Sequence, residues 1–245
     1  MVLQRSNIRL SKYVSDIGGK SMKKVLNALS QGETDTDILV ALVHRRIINK
    51  HGKDTIRASL TGIVSCADRD MLCMCLEEAV LYEGQIKICE EKLLQLCMRY
   101  YERELELLQS VPGIKQLSAA CIIAETGADM SYFQNAASLV GWAGLRPRND
   151  ESAGKIKGRK TLHGNKYLRI MLIQCAWGAS RTRSSAFFLR YNNLKKRMNH
   201  NKALMANARK LLVVIWNILA SKQGWHMQLS RLKNECFQGP YIYGG

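Results

Sequence analysis

The sequence predicts an all-α fold: a long, coiled-coil-like helix leading into a compact helical domain with a helix-hairpin-helix-like motif. Three observations carry this. Proline is scarce, with Pro112, Pro147 and Pro240 the whole complement of a 245-residue chain. Alternating apolar and polar runs, the mark of half-buried strands, are nearly absent. Apolar residues recur instead at the intervals that line one face of a helix.

Residues 1–64 form a linker of short helices. Ser21 to Leu29 is one helix, stopped at Gly32, and Asp37 to Lys50 is another, preceded by the cap-forming Thr34, Asp35 and Thr36. Ser65-Cys66-Ala67-Asp68 has the form of a capping box and opens a helix to about Gln109, the segment 65–110. Every seventh residue from Leu72 gives Ala79, Ile86, Leu93, Tyr100 and Leu107, with Cys75, Tyr82, Cys89 and Leu96 as companions. An apolar seam over several heptads predicts a coiled coil that pairs two copies of the chain. A helix packed within its own bundle would carry the same pattern.

Val111-Pro112-Gly113-Ile114 ends that helix and starts the domain 111–223. Proline stops the incoming helix and glycine permits a tight backbone, after which Leu117, Ala120, Cys121 and Ala124 mark one face of the next. The pair is similar to a helix-hairpin-helix, whose hairpin N–H groups receive a DNA phosphate. Gly113 and Lys115 are the candidates there, Lys115 standing where that motif has its second glycine. A plain helical hairpin with no ligand is the alternative. Phe133, Leu139, Val140 and Trp142 then mark a short apolar helix. Further helices run from Asn165 to Arg181, Ser184 to Met198 and Ala203 to Lys222, and Phe187, Phe188 and Tyr191 read as core rather than as stacking platforms. Residues 224–245 are a polar, Gly-rich flexible tail.

Charge sets the partner class. Lys and Arg number 37 against 20 Asp and Glu, a net charge of +17. A field of that sign attracts polyanions, and each neutralised phosphate releases condensed counterions, so nucleic acid leads and an anionic membrane surface follows. The start has no apolar run of the signal-peptide kind, and the run Leu211 to Ala220, broken by Asn217, is short of the ~20 residues of a membrane span. The eight cysteines form no C-x-x-C pair and sit mostly at apolar helical positions, which predicts core packing in a reducing compartment, the cytoplasm.

The densest charge lies between Arg146 and Arg169, which holds Arg146, Arg148, Lys155, Lys157, Arg159, Lys160, Lys166 and Arg169 against Asp150 and Glu151 alone. A solvated face would explain such a run. Glycines and a lone serine, Ser152, within it point to a backbone shaped to approach a ligand closely. A hydroxyl amid that much positive charge suits attack on a phosphodiester. Asp150 and Glu151, adjacent in a loop, read as solvated rather than as metal ligands, and no metal site is predicted.

These pieces occur in a characteristic order. ValProGlyIle is followed by IleAlaGluThrGlyAlaAspMet, PheGlnAsnAlaAlaSerLeuValGlyTrpAlaGlyLeuArgPro, GluSerAlaGlyLys, HisGlyAsnLysTyrLeuArg and AlaArgLysLeuLeu. Together they resemble the C-terminal serine domain of the one-ten family of insertion-sequence transposases, the RNA-guided bridge recombinases related to Piv-type DNA invertases. The resemblance covers roughly Ser110 to Ala220, with a looser likeness to the family's linker at LysTyrValSerAspIleGlyGlyLysSer. It implies DNA transposition by a recombinase whose serine, here Ser152, forms a covalent link to DNA, with a structured guide RNA choosing the sites. It also implies Mg2+, held by four acidic residues of a RuvC-like α/β domain that nothing in this sequence resembles, so the chain reads as a truncated form. Arg148, Lys155 and Arg159 would offset the phosphate charge, with Arg146, Lys157, Lys160, Asn165 and Arg169 also in reach of the DNA backbone. The alternatives are a non-catalytic helical DNA- or RNA-binding protein and a coiled-coil interaction protein.

Overall fold

The structure, a computed structural model, describes residues 2–146 and 163–225 in full and the backbone of two strands at 150–152 and 155–158. The fold is all-α, with one short hairpin added, and divides into two compact units, Met1–Ile88 and Cys89–Gly245.

In the first unit α1 (Val2–Arg5), α2 (Lys20–Ser30), α3 (Thr36–Ala41), α4 (Arg45–His51) and α5 (Lys53–Leu60) precede the opening of α6 (Cys66–Tyr100). α2 buries Met22, Val25 and Leu29, one stripe at helical spacing. That stripe meets Ile8, Leu10, Ile56 and Leu60 in a closed core, each such side chain contributing about 1.5–3 kcal/mol of transfer free energy. The helix expected over 37–50 is two. α3 starts on Asp35, whose Oδ1 accepts the Asp37 N–H at 2.8 Å, and stops at Ala41. His44 then takes an extended backbone and caps α4, its Nδ1 accepting the Arg46 N–H at 3.1 Å. Half of the predicted capping box forms: the Asp68 N–H donates to Ser65 Oγ at 3.1 Å, while Asp68 Oδ2 accepts from the Ser65 hydroxyl at 2.9 Å instead of from the Ser65 backbone.

The heptad pattern runs past the helix that it marks. α6 ends at Tyr100, and Tyr101, at φ −139° and ψ 33°, separates it from α7 (Glu102–Gln109). The break lets α7 bury Leu105 and Leu108 in the second unit's core. Of the seam positions, Leu72 is buried, while Tyr82, Ile86 and Leu96 are more than half exposed.

The second unit continues with α8 (Gln116–Thr126), α9 (Ala136–Trp142), strands β1 (Asp150–Ser152) and β2 (Lys155–Gly158), α10 (Lys166–Arg181), α11 (Ala186–Lys195) and α12 (His200–Ser221). β1 and β2 pair antiparallel, with Glu151 opposite Ile156, Ser152 opposite Lys155 and a register shift after Asp150. α12 is the axis of the unit, packed by α7, α9, α10 and α11, and its Leu211, Leu212, Ile215 and Ile218 are fully buried. Among the described residues α12 is the one helix long and apolar enough to cross a membrane by length and composition. The expectation that no segment reaches that length is corrected here, because Asn217 does not interrupt the helix; its apolar side chains face protein core.

Two further expectations change. Trp225, placed in the tail by the sequence, is buried: its ring stacks on Phe187 with centroids 5.4 Å apart, and its N–H donates to Ser110 Oγ at 3.1 Å. Residues 226–245 lie outside the described ones. Of the described cysteines only Cys97 and Cys175 are buried, while Cys66, Cys75 and Cys89 on α6 are exposed, so core packing does not account for most of them.

Candidate nucleic-acid interface

The basic loop rises from a closed root. On its incoming side α9 is capped by Asn135, whose Oδ1 accepts the Ser138 N–H at 2.9 Å, and ends where Leu145 N–H donates to Val140 O at 3.0 Å. Leu145 is buried and Arg146, the next residue, is exposed. On the outgoing side Gly164 lies against the same turn. A Cβ at 164 would stand 2.3 Å from Gly144 N and 2.6 Å from both Gly144 Cα and Trp142 O, so only glycine fits. The Asn165 N–H then donates to Trp142 O at 3.2 Å. Backbone therefore joins Trp142 and Gly144 to Gly164 and Asn165.

Asn165 makes the second joint. Its Oδ1 accepts the Leu168 N–H at 3.0 Å and caps α10, and its Nδ2 donates to Glu125 Oε2 at 2.6 Å, near the end of α8. Both ends of the amide are engaged within the fold. Asn165, expected from the sequence to contact a phosphate, thus joins the root to α8 and α10. The N-terminal dipole of the 16-residue α10 adds positive field there. Arg146 and Lys166 are exposed at the root, Arg169 is half-buried one turn along, and His163 is exposed beside them.

Gly113 and Lys115 belong elsewhere. Gly113 sits at φ +88°, and a Cβ on it would stand 2.3 Å from Cys175 O and 2.5 Å from Ala179 N. Its missing side chain lets the hairpin pack on the far half of α10, which is a packing role. α8 and α10 are therefore antiparallel, with Glu125 meeting Asn165 at one end and Gly113 meeting Cys175 at the other. At 1.5 Å per residue the hairpin lies about 15–20 Å along α10 from the root. Lys115 is exposed at the start of α8, which has no side-chain cap. The hairpin and the loop root are two separate stations.

Ser152, Lys155 and Lys157 lie on the strand pair, where the backbone alone is described. Arg148, Arg159 and Lys160 lie outside the described residues. Two side chains at the root carried no sequence signal for a ligand: Trp142 is 42% exposed and Tyr167 is 75% exposed.

Burial pushes the thiols of Cys97, Cys121 and Cys175 upward, so none of the three is poised as a thiolate. Among the described residues no group of three or more His, Cys, Asp or Glu side chains is placed to hold a metal ion. The donor set for the magnesium implied by the resemblance is therefore not found there.

This closed, cationic root falls inside a segment with known relatives. Residues 105–192 match the transposase IS116/IS110/IS902 family. The matched transposase segment begins within α7 and ends within α11, so it contains both joints of the root and the strand pair. The chain is also 33% identical over 129 residues to the "Insertion element IS900 uncharacterized 42 kDa protein" of Mycobacterium paratuberculosis, covering 51% of this chain and 31% of that protein. It is 27% identical over 150 residues to the "Putative transposase y4pF/y4sB" of Sinorhizobium fredii (strain NBRC 101917 / NGR234), covering 58% of this chain and 37% of that one. The similarity thus spans about a third of the length of either relative.

Proposed function

We propose that this chain supplies the DNA-joining part of an insertion-element transposase and that Ser152 is its nucleophile. The observation that carries the reading is the closed root: the family-matched segment holds a loop by backbone contact and flanks it with Arg146, Lys166 and Arg169. Ser152 Oγ attacks a backbone phosphorus, a serine O–P bond forms, the P–O bond to one deoxyribose breaks, and that strand leaves with a hydroxyl. The serine proton goes to a general base, and cations near the scissile phosphate offset its charge. Arg148, Lys155, Lys157, Arg159 and Lys160 share that task through the loop, while Lys115 grips backbone further along the duplex.

DNA and a structured guide RNA are the partners, and the cytoplasm is the setting. A second copy pairs along α6, where Tyr82, Ile86 and Leu96 are exposed on the heptad seam. The magnesium-holding RuvC-like half that the resemblance implies is a separate requirement, and strand cleavage depends on its being present.

The test is covalent trapping. The chain, with a RuvC-like domain of a relative added, is incubated with a nicked DNA carrying an element end, and adducts are mapped by mass spectrometry. A nucleotide on Ser152, lost in Ser152→Ala with DNA binding retained, supports the proposal. Salt-sensitive DNA binding with no adduct on any side chain replaces it with a non-catalytic nucleic-acid-binding protein.

A further inference from the structure

Trp142, at the end of α9, and Tyr167, in the first turn of α10, line one shallow depression at the loop root, with His163 and Lys166 on its rim and Gly141 and Gly164 in its floor. Both rings are exposed and share the depression with the Lys166 ammonium. Phe133 braces Trp142 from the protein side, edge to face, with centroids 5.7 Å apart. The close approach of Gly164 to Gly144 and Trp142 O fixes the spacing of the two aromatic positions, because the segments that carry them are joined through backbone. The wall is preorganised.

We propose that this depression receives an unstacked nucleobase from the DNA strand held by the loop, with Trp142 and Tyr167 as its stacking walls and Lys166 on the adjoining phosphate. The inference rests on the nucleic-acid reading above and adds a ligand class and two side chains to it. Charge selects this occupant. Lys166 puts a positive charge on the rim, and the nearby carboxylate of Glu125 is tied to Asn165. A base presents a π-face and its phosphate a negative charge, which is the pairing of aromatic and cationic groups that single-strand sites use. A base inside a duplex has both faces covered, so the depression discriminates between strand forms. A base drawn out beside the scissile phosphate would hold that phosphate in register with the serine loop.

The experiment measures binding of the full chain to a labelled 15-nucleotide oligothymidylate and to a 15-base-pair duplex by fluorescence anisotropy over a range of salt. Tyr167→Ala is expected to weaken oligothymidylate binding by about 5- to 100-fold, the range for losing one stacked base, with the salt slope unchanged. Duplex binding is expected to change less than about twofold. Tyr167→Phe keeps the ring and restores the wild-type value. Trp142→Ala behaves like Tyr167→Ala, and because Tyr167 is so exposed, its variant stands as the readout even where Trp142→Ala unfolds. Lys166→Ala weakens both probes and reduces the slope by about one. Equal losses on the two probes, or no loss with Tyr167→Ala, overturn the base site and leave the nucleic-acid reading intact. A wild-type chain that binds neither probe overturns both.

Discussion

The Nδ2 of Asn165 donates to Glu125 Oε2 at 2.6 Å, tying the first residue before α10 to the last turn of α8. With its Oδ1 on the Leu168 N–H, this one amide caps a helix and clamps the loop root. Asn165→Ala is therefore expected to cost about 1 kcal/mol of stability, the ordinary loss of an N-cap, read as a lower urea midpoint. The salt slope of DNA binding should not move. A fall in that slope by about one, with stability unchanged, would return Asn165 to the phosphate contacts.

Gly164→Ala is the harsher change. Its methyl would meet backbone atoms on three counts, and backbone cannot swing aside as a flexible side chain does. We expect a loss of about 1–3 kcal/mol and an opened root, seen as faster trypsin cleavage after Lys166. A variant as stable and as protease-resistant as wild type would mean that the two arms do not meet in solution.

Acid should reveal the Glu104–Lys222 pair, in which the Lys222 ammonium lies 2.8 Å from Glu104 Oε1. Burial alone would raise the Glu104 pKa; the hydrogen bond and charge of Lys222 outweigh it and hold the carboxyl below its usual value. A lowered folded pKa contributes stability above the unfolded value, and that stability is lost as pH falls through the folded one. Glu104→Gln should thus be less stable than wild type at pH 7, by about 0.5–1 kcal/mol because Lys222 is partly exposed, and the difference should shrink as pH falls towards the lowered folded pKa of Glu104. Thermal melts at pH 3 and pH 7 supply the comparison.

Ile86, 57% exposed on the α6 seam, offers a clean test of pairing between copies. Ile86→Asp should leave the melting temperature of the monomer unchanged and abolish concentration-dependent association in sedimentation. Leu93 is unsuited to the purpose, since it packs against the second unit's own core and its loss would also destabilise the fold. An unchanged sedimentation profile would leave the seam without a partner.

Much of this architecture was legible. Helix starts at Asp35, Ser65 and Asn165 carry the short polar side chains that caps require, and the structure uses each as one; Asn199, which caps α12, was passed over for a start at Ala203. Other features depend on distant partners and leave no local trace. The break at Tyr101 has neither proline nor glycine and follows from where Leu105 and Leu108 find burial. Trp225 reads as tail until Phe187, 38 positions upstream, supplies its stacking partner (225 − 187). The strand pair is too short and too charged for an alternating pattern. At the candidate site, the sequence offered a hairpin at Gly113 and a basic loop from Arg146, and only the antiparallel packing of α8 on α10 shows how far apart they lie. Trp142 was legible as apolar, but its exposure was not.

Because Lys115 and the loop root occupy opposite ends of α10, that helix serves as a ruler for anything laid across both. Its span of about 15–20 Å corresponds to roughly four to six base pairs at 3.4 Å each. Protection of a duplex from chemical cleavage should then fall in two patches separated by that interval, with their distance fixed by protein and indifferent to the bases between.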